Sequence, residues 1–248
     1  MTYRTTRWSL VQRAAGEASG GCDERHAMQE LCLLYWPAVY RFFHRAANGD
    51  SHRAEDLTQG LFARFLSDRS LAQANPERGR FRTWLLACAQ NHLRNDQAAA
   101  GAKKRGGDRQ LLPLDFASEE GRLQGEPADP SEGPEQAFAR RWVAALVERV
   151  LGQLAEEFEQ RGRGIVFAAA RAFLDPACDP GPMRAAAEEA RVSEGAFKVA
   201  VHRARERFHE RLRAEIEDTL DRTPERAGGG RADFEDELTH LLSLLSKP

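Results

Sequence analysis

The segment from Asn75 to Asp96 places arginines beside aromatic residues at the entry to a predicted helix, a pattern suited to unpaired nucleic acid. The side chains in question are Arg80, Phe81, Arg82, Trp84, Asn91 and Arg94. Unpaired bases stack on aromatic rings while arginines hold the backbone, and amide and guanidinium groups can read exposed base edges. The same rings could instead be core residues, with the arginines on a solvated face. The pattern alone slightly favours this second interpretation.

A second basic segment, residues 193–213, has the pattern of a helix that presents cations on one face. Ser193 is a predicted N-cap, because its hydroxyl can accept a hydrogen bond from an unpaired backbone N–H. One face of the helix carries, at i, i+1, i+4 and i+5, the side chains Lys198, Val199, His202 and Arg203. A short helix at 183–190 and a turn at Arg191–Val192 precede it. Helix, turn and capped basic helix together predict a helix-turn-helix.

The sequence contains no catalytic constellation. A nucleophile elbow, a zinc-protease motif, a phosphate loop and a dinucleotide fingerprint are all missing. Cys88 and His92, four residues apart on a predicted helix, could offer two metal ligands, but no second pair accompanies them, so packing is the favoured role. Asp115, Glu119 and Glu120 lie in a Pro/Gly-rich stretch and are interpreted as solvated. We therefore expect no enzyme activity, no cofactor and no metal site.

The formal net charge of −2 conceals two basic zones separated by an acidic one. Residues 76–110 hold eight basic and three acidic side chains, and residues 193–213 hold six basic and three acidic ones. Between them, residues 113–135 hold seven carboxylates and one arginine. Because charges are screened beyond about 8 Å, each zone would meet its partner separately. The near-neutral total predicts weak DNA binding by the protein alone, since few phosphates would be neutralised.

The cysteines and the N-terminal segment bear on the compartment. Cys22, Cys32, Cys88 and Cys178 are scattered without a CxxC pair, as is typical of a reducing compartment. Residues 1–16 lack the apolar run of a secretory signal, and no stretch approaches the ~20 apolar residues that span a bilayer. We expect a cytoplasmic protein with no membrane partner.

Apolar residues recur at helical spacing along most of the chain, and no alternating strand pattern occurs. The expected fold is all-α, with two helical domains joined by a flexible, Pro/Gly-rich linker and an amphipathic helix near the C terminus. The expected ranges are an N-terminal extension 1–24, a first domain 25–100, a linker 101–135, a second domain 136–215, and a C-terminal extension 216–248 with a helix at 232–246. Pro37 predicts either a bend or a helix start inside the first domain.

Two parts of the sequence resemble sigma factors of bacterial RNA polymerase, of the extracytoplasmic-function (ECF) subfamily. Residues 56–65 followed by residues 81–93 resemble sigma region 2, and residues 193–205 resemble the recognition helix of sigma region 4. The segments Thr6–Leu10 and Glu77–Phe81 are similar to a branch common in planctomycete-like bacteria. The resemblance covers residues 25–100 and 136–215, in the order that the family has.

The resemblance implies a role for each matching position. Asp56 and Gln59 would dock on the clamp helices of the polymerase β′ subunit. The residues implied in opening the minus-ten element and holding its non-template strand are Arg80, Phe81, Arg82, Trp84, Asn91 and Arg94. The residues implied at the minus-thirty-five element are Ser193, Lys198, Val199, His202, Arg203 and Arg205. Arg203 is the expected base-reading residue, whereas Arg205 would meet phosphate, which positions the protein without specifying sequence.

The implied function is to direct core RNA polymerase to promoters and to assist strand opening at transcription initiation, without enzyme activity. Core RNA polymerase, including its β′ clamp helices and β subunit, and promoter DNA are the implied partners; an anti-sigma factor is a candidate regulator. The alternative, from a different class, is a stand-alone helix-turn-helix transcriptional regulator. That alternative leaves the arginine–aromatic segment without an explanation.

Two features depart from sigma region 4. The helix before the turn is rich in alanine, where the family usually has bulky apolar residues, and the turn has Arg191 where a glycine would make a positive φ cheap. The predicted helix at 232–246 lies outside both resembling parts. It could pack on the second domain or bind a regulatory partner, and the sequence leaves both open.

Overall fold

The computed structural model of the chain describes residues 8–16, 22–68, 70–75, 80–102, 132–174 and 181–217. All regular secondary structure in these ranges is helical, which confirms the expected all-α class. None of the helices in these ranges is long and apolar enough to cross a membrane. Most of the expected linker, together with the predicted helix at 232–246, lies outside the described residues.

The described residues form two compact units, one reaching to Ala145 and the other spanning Leu146–Ile216. The first contains helices α1 (Trp8–Ala14), α2 (Cys22–Ala46), α3 (Ser51–Ser67) and α4 (Phe81–Ala102), with a 3-10 turn at Ser70–Gln73. Its core is strongly aromatic, and the large buried side chains include Tyr35, Trp36, Tyr40, Phe42, Phe43 and Phe62. Aromatic side chains bury the most apolar area per residue, so a small bundle gains much of its stability from them.

Helices α2 and α3 show how local sequence fixes the bundle. Helix α2 continues through Pro37, so the sequence signal there marks neither a start nor an end of the helix. Helix α3 follows a tight turn in which Asn48 and Gly49 both have positive φ, +55° and +87°. Asp50 then caps α3, because its carboxylate accepts a hydrogen bond of 3.0 Å from the Arg53 backbone N–H. Arg53 in turn pairs with Asp96 of α4.

Helix α1 was not predicted from the sequence. Leu10, Val11 and Ala14 are buried in the first unit, and Trp8 meets Phe81 edge-on with ring centroids 6.0 Å apart. The N-terminal helix therefore supports the entry to α4.

Helix α5 (Pro134–Gln160) is the longest described helix, and the division between the two units falls inside it. Its first turns belong to the first unit, where Ala137, Phe138 and Trp142 are buried. From Leu146 onward the helix belongs to the second unit.

The second unit continues with helices α6 (Gly164–Arg171), α7 (Met183–Glu189) and α8 (Glu194–Glu217), and a 3-10 turn at Ala172–Leu174. Its core joins Ala170, Phe173, Ala187, Ala190, Phe197 and Val201. Phe173 and Phe197 meet edge-on at 5.6 Å between ring centroids. The small alanine side chains of α7 thus pack against two phenylalanines, which supply the bulk that α7 itself lacks.

Candidate nucleic-acid interface

A pocket of about 320 Å³ opens on the first unit between α3 and α4. Three residues predicted to contact unpaired DNA line it: Trp84, Asn91 and Arg94. Asn91 and Arg94 lie about two and three turns after Trp84 along α4, and the Arg94 guanidinium donates to the Asn91 side-chain oxygen at 3.3 Å. Arg64 of α3 contributes a second cation to the wall. The pocket therefore combines an aromatic ring, an amide and two guanidinium groups, a set that can stack on and hydrogen-bond a base.

The Trp84 indole has a fixed place in this wall. It is stacked on Phe65 with centroids 5.6 Å apart and on Phe81 with centroids 5.4 Å apart. The indole remains partly exposed, whereas Phe65 and Phe81 are buried. A ring that is held before its ligand arrives loses little further rotational freedom on binding.

Phe81 lies in the core, not on the surface. It is only 4% exposed and meets Tyr35 edge-on at 5.2 Å between centroids. Its neighbour Arg80 closes the start of α4 through its backbone, because the Arg80 carbonyl accepts from the N–H groups of Thr83 and Trp84 at 3.0 and 3.2 Å. Phe81 thus packs against Trp84 from the core, while the Arg80 carbonyl fixes the first turn of α4.

Arg82 lies on another face of α4. Its guanidinium carbon is 4.6 Å from the centroid of the Trp142 ring in α5. This distance is within the range of a cation–π interaction. Arg82 is half-buried as a result.

Cys88 and His92 have the properties of packing residues. Burial raises the pKa of the Cys88 thiol to about 11, with the Arg64 charge offsetting part of the effect, so the thiol is neutral at pH 7. Burial also lowers the pKa of His92, which the Asp96 carboxylate only partly offsets. Across the described ranges, no three His, Cys, Asp or Glu side chains are grouped so as to hold a metal ion.

The predicted polymerase-binding residues lie on α3. Asp56 is exposed and Gln59 is half-buried. Leu57 and Leu61, on the same helix, are 3% and 1% exposed and belong to the core. Asp56 and Gln59 are three residues apart, so the helix presents them side by side.

In the second unit, α7, a short turn and α8 follow one another directly. Arg191 in the turn has φ +55°, the left-handed value that the sequence suggested for this position. Ser193 caps α8, with its Oγ accepting from the Ala196 N–H at 3.3 Å. The capping prediction for Ser193 is thereby confirmed.

The exposed face of α8 carries four of the predicted DNA-contact residues: Lys198, Val199, His202 and Arg203. Lys198 pairs with Glu194 at 2.7 Å, and the His202 ring lies 3.5 Å from Glu206. Both pairs are exposed, and such pairs contribute little to stability, so these side chains can be re-used at little cost.

A groove of about 1140 Å³ runs beside this face. Val199 and Arg203 of α8 line one side, and Ile165 of α6 lines the other. Ile165 and Val199 are unusually exposed for aliphatic residues, at 62% and 49%. Arg191 of the turn also borders the groove, which therefore joins exposed apolar surface to positive charge.

Arg205 has a structural contact that the sequence did not reveal. Its Nε and Nη2 atoms both donate to the Phe173 carbonyl, at 3.0 and 2.8 Å. This bidentate contact holds the 3-10 turn at Ala172–Leu174 against α8. In this conformation Arg205 therefore acts inside the second unit, while its proposed phosphate contact would have to use its remaining donors or break these bonds.

Glu157 forms the centre of a charge network between α5 and α8. Its carboxylate lies 2.6 Å from Arg211, 3.3 Å from Arg207 and 2.9 Å from Arg161. Burial raises the pKa of Glu157, but the hydrogen bond from Arg211 and the charges of the three arginines outweigh it and leave the pKa below its usual range. The sequence did not show that these side chains meet across two helices.

Comparison with known protein families identifies one segment of the chain. Residues 32–101 match the family model of sigma-70 region 2. This segment, less than a third of the chain, is similar to sigma-70 region 2. No curated protein and no solved structure matches the chain.

The matched segment, called the region 2 domain below, includes all the residues predicted to contact polymerase or the minus-ten element: Asp56, Gln59, Arg80, Phe81, Arg82, Trp84, Asn91 and Arg94. Its pocket joins Trp84, Asn91 and Arg94, while Arg82 lies under Trp142 and Phe81 is in the core. The residues predicted at the minus-thirty-five element lie outside the matched segment.

Proposed function

We propose that the chain is a sigma factor of the ECF type, which directs core RNA polymerase to promoters and helps to open the DNA there. The observation that carries this proposal is the pocket lined by Trp84, Asn91 and Arg94 inside a segment that matches sigma-70 region 2. Such a factor would work in the cytoplasm without a cofactor or metal.

The pocket suits a base that has left the duplex. Extruding a base costs a few kcal/mol, and stacking on an aromatic side chain returns about 1–3 kcal/mol per base. Trp84 supplies the ring, while Asn91 and Arg94 offer donors and an acceptor to the base edge. The pocket would hold an unpaired base of the minus-ten element, and Arg80 and Arg82, which do not line the pocket, would contact the displaced strand elsewhere.

The second unit would bind intact duplex at the minus-thirty-five element as a helix-turn-helix. Helix α8 presents Lys198, Val199, His202 and Arg203 to solvent, with its N terminus capped by Ser193. In this docking mode the N-terminal residues of the second helix reach base edges in the major groove. Arg203 is the base-reading residue that we propose, since a guanidinium can make two hydrogen bonds to guanine.

Asp56 and Gln59 would dock on the β′ clamp helices of core RNA polymerase, with a further contact to the β subunit. They share a face of α3 directed away from the core residues Leu57 and Leu61. An anti-sigma factor that restrains the protein remains a prediction.

The test is transcription by core RNA polymerase from the source bacterium on sheared genomic DNA, with and without the full chain. The 5′ ends of the transcripts are mapped. When the chain is present, the transcription starts should cluster downstream of one common pair of minus-thirty-five and minus-ten sequences. Core enzyme alone should give scattered starts. Asp56→Ala combined with Gln59→Ala is the matched variant and should abolish the clustering while leaving the helical circular dichroism unchanged.

Identical start sites with and without the chain would overturn the proposal. Tight, sequence-specific binding of duplex by the chain without polymerase would instead favour the alternative of a stand-alone helix-turn-helix regulator.

A further inference from the structure

The first turns of α5 lie against the helices of the region 2 domain within the first unit. Arg45 of α2 donates through Nε and Nη2 to the Glu132 carbonyl, at 2.9 and 2.6 Å. Gln90 of α4 donates to the Glu135 carboxylate at 3.0 Å. These contacts fasten the start of α5 at two points, on α2 and on α4.

Trp142, in the part of α5 that belongs to the first unit, covers Arg82 with its ring. The indole is 1% exposed, and the Arg82 guanidinium carbon lies 4.6 Å from its centroid. A guanidinium stacks on an indole and on a nucleobase by the same combination of cation–π attraction and planar contact. An unpaired base that stacks on this face of Arg82 would have to displace the indole.

The Trp142 position is imperfect for a tryptophan. Its indole Nε1 is buried and has no hydrogen-bond acceptor among the described residues. A buried donor without a partner costs free energy, and tryptophans in cores usually have an acceptor for this group. The ring is thus held by its π face and its apolar neighbours, and the N–H group opposes its burial.

We propose that Trp142 holds, on Arg82, the place of an unpaired nucleobase, so that the segment Glu132–Trp142 and single-stranded DNA compete for the region 2 domain. The inference rests on the proposed function only in that the region 2 domain binds unpaired DNA. In the free protein the segment occupies this face of α4. In the open promoter complex a base of the displaced strand replaces the indole.

The near-neutral net charge is one reason to expect low DNA affinity of the free chain. The competition between Trp142 and DNA is a second, independent reason. The net charge of the protein changes its affinity for single-stranded and double-stranded DNA alike, because both carry phosphates. The Trp142 ring acts on a single cation, and its removal should strengthen the binding of unpaired DNA but leave duplex binding unchanged. This difference separates the two explanations.

The experiment measures binding of a fluorescein-labelled single-stranded oligonucleotide of mixed sequence to the full chain by fluorescence anisotropy. Trp142→Leu keeps an apolar side chain but removes the ring, and should tighten binding about 5- to 30-fold, the range that a desolvated cation–π contact allows. Trp142→Phe keeps a weaker ring and should give a smaller gain. Phe158→Leu, a buried aromatic on the same helix in the second unit, is the matched control and should bind as the wild type does.

The gain must depend on Arg82. In the double variant Arg82→Gln, Trp142→Leu, the affinity for the oligonucleotide should fall back to the wild-type value or below it. If Trp142→Leu fails to fold, as judged by circular dichroism, the graded effect of Trp142→Phe carries the test.

Equal affinities of the wild type and both Trp142 variants would overturn the competition, as would a gain that persists without Arg82 or the lack of measurable binding by every chain. The sigma function is judged separately, from the clustering of transcription starts. A protein that directs transcription but shows no Trp142 effect refutes only the competition. One that shows the Arg82-dependent gain without directing transcription refutes only the proposed function.

Discussion

Trp84 and Phe81 are three residues apart, yet one can contact a ligand and the other only supports the fold. The sequence could not assign these two roles. Trp84 lines the pocket, whereas Phe81 is buried behind it between Tyr35, Trp8 and Trp84. The spacing put both rings on one side of a helix, but only the packed structure shows which ring has an exposed part.

We expect Trp84→Ala to slow promoter opening and Phe81→Ala to destabilise the fold. The loss of one stacking contact, about 1–3 kcal/mol, should reduce permanganate reactivity of unpaired thymines at a mapped promoter, with little change in initial docking. Removing a buried phenylalanine should cost about 3–5 kcal/mol of unfolding free energy, measured by urea denaturation. Unchanged permanganate reactivity in Trp84→Ala would remove Trp84 from the interface.

Arg203 and Arg205 are a second pair of neighbours with different surroundings. Arg203 lines the groove beside α8, while Arg205 is bonded to the Phe173 carbonyl. Arg203→Ala should cost about 1–3 kcal/mol at the preferred minus-thirty-five sequence and relax the preference there. The measurement is competition binding of the holoenzyme to promoters that differ at single base pairs. A loss spread evenly over all sequences would make Arg203 a phosphate contact.

Arg205→Ala is the matched variant, and it should act on stability first. Two hydrogen bonds from a charged donor to one partly exposed carbonyl contribute on the order of 1 kcal/mol. Their loss should appear as faster amide hydrogen exchange in α8 and in residues 172–174. Unchanged exchange together with weaker DNA binding would return Arg205 to the phosphate role that its sequence context suggested.

At the scale of the helices, the contact between α5 and α8 through Glu157 predicts a response to pH. The carboxylate has a folded-state pKa below its usual range, so its stabilisation is complete above about pH 4.3, the ordinary value for glutamate, and is lost as the pH falls through the lower folded value. Glu157→Gln should lose about 1–2 kcal/mol at pH 7 and respond less than the wild type to acid.

The tryptophans offer an internal control for this measurement, because Trp8, Trp36, Trp84 and Trp142 all belong to the first unit. Tryptophan fluorescence therefore follows the first unit, while helical circular dichroism follows both. In urea at pH 7, Glu157→Gln should shift the circular dichroism transition and leave the fluorescence transition in place. A shift of both to the same extent would show that Glu157 is not specific to the second unit.

The helices themselves were largely predictable, and their packing was not. Periodic apolar residues indicated α2 through α8, and Ser193 marked the start of α8. The same periodicity predicted a helical second domain from residue 136, but it could not show that Phe138 and Trp142 pack in the first unit while Leu154 packs in the second. Apolar residues at helical spacing predict that one face of the helix is buried, but they do not show which of two cores that face packs against.

Helix α1 shows the other limit of the sequence pattern. Trp8, Leu10 and Val11 make only one apolar turn, too short for periodicity to distinguish a helix from an extended segment. Its stability comes from contacts with α2 and with Phe81. Short helices generally depend on such tertiary contacts.

For the whole molecule, the resemblance to sigma factors predicted more about function than charge and aromatic spacing did. Charge and aromatic spacing alone favoured a core role for Phe81 and Trp84, and the structure confirms that role for Phe81. The resemblance to sigma factors covered the first domain, and within it residues 32–101 match the family model of sigma-70 region 2. The ECF assignment and the promoter contacts of the second unit stay predictions, which transcription with core polymerase would decide.

The left-handed turn at Arg191 sets backbone strain against charge at the groove. An L-residue with a side chain loses roughly 1–2 kcal/mol in that backbone conformation relative to glycine, and Arg191 adopts it at φ +55°. A single codon change would remove the penalty, but it would also delete a guanidinium from the edge of the groove. The turn therefore places a cation at the groove at a cost in the folding stability of the second unit, as strained backbone at binding sites often does.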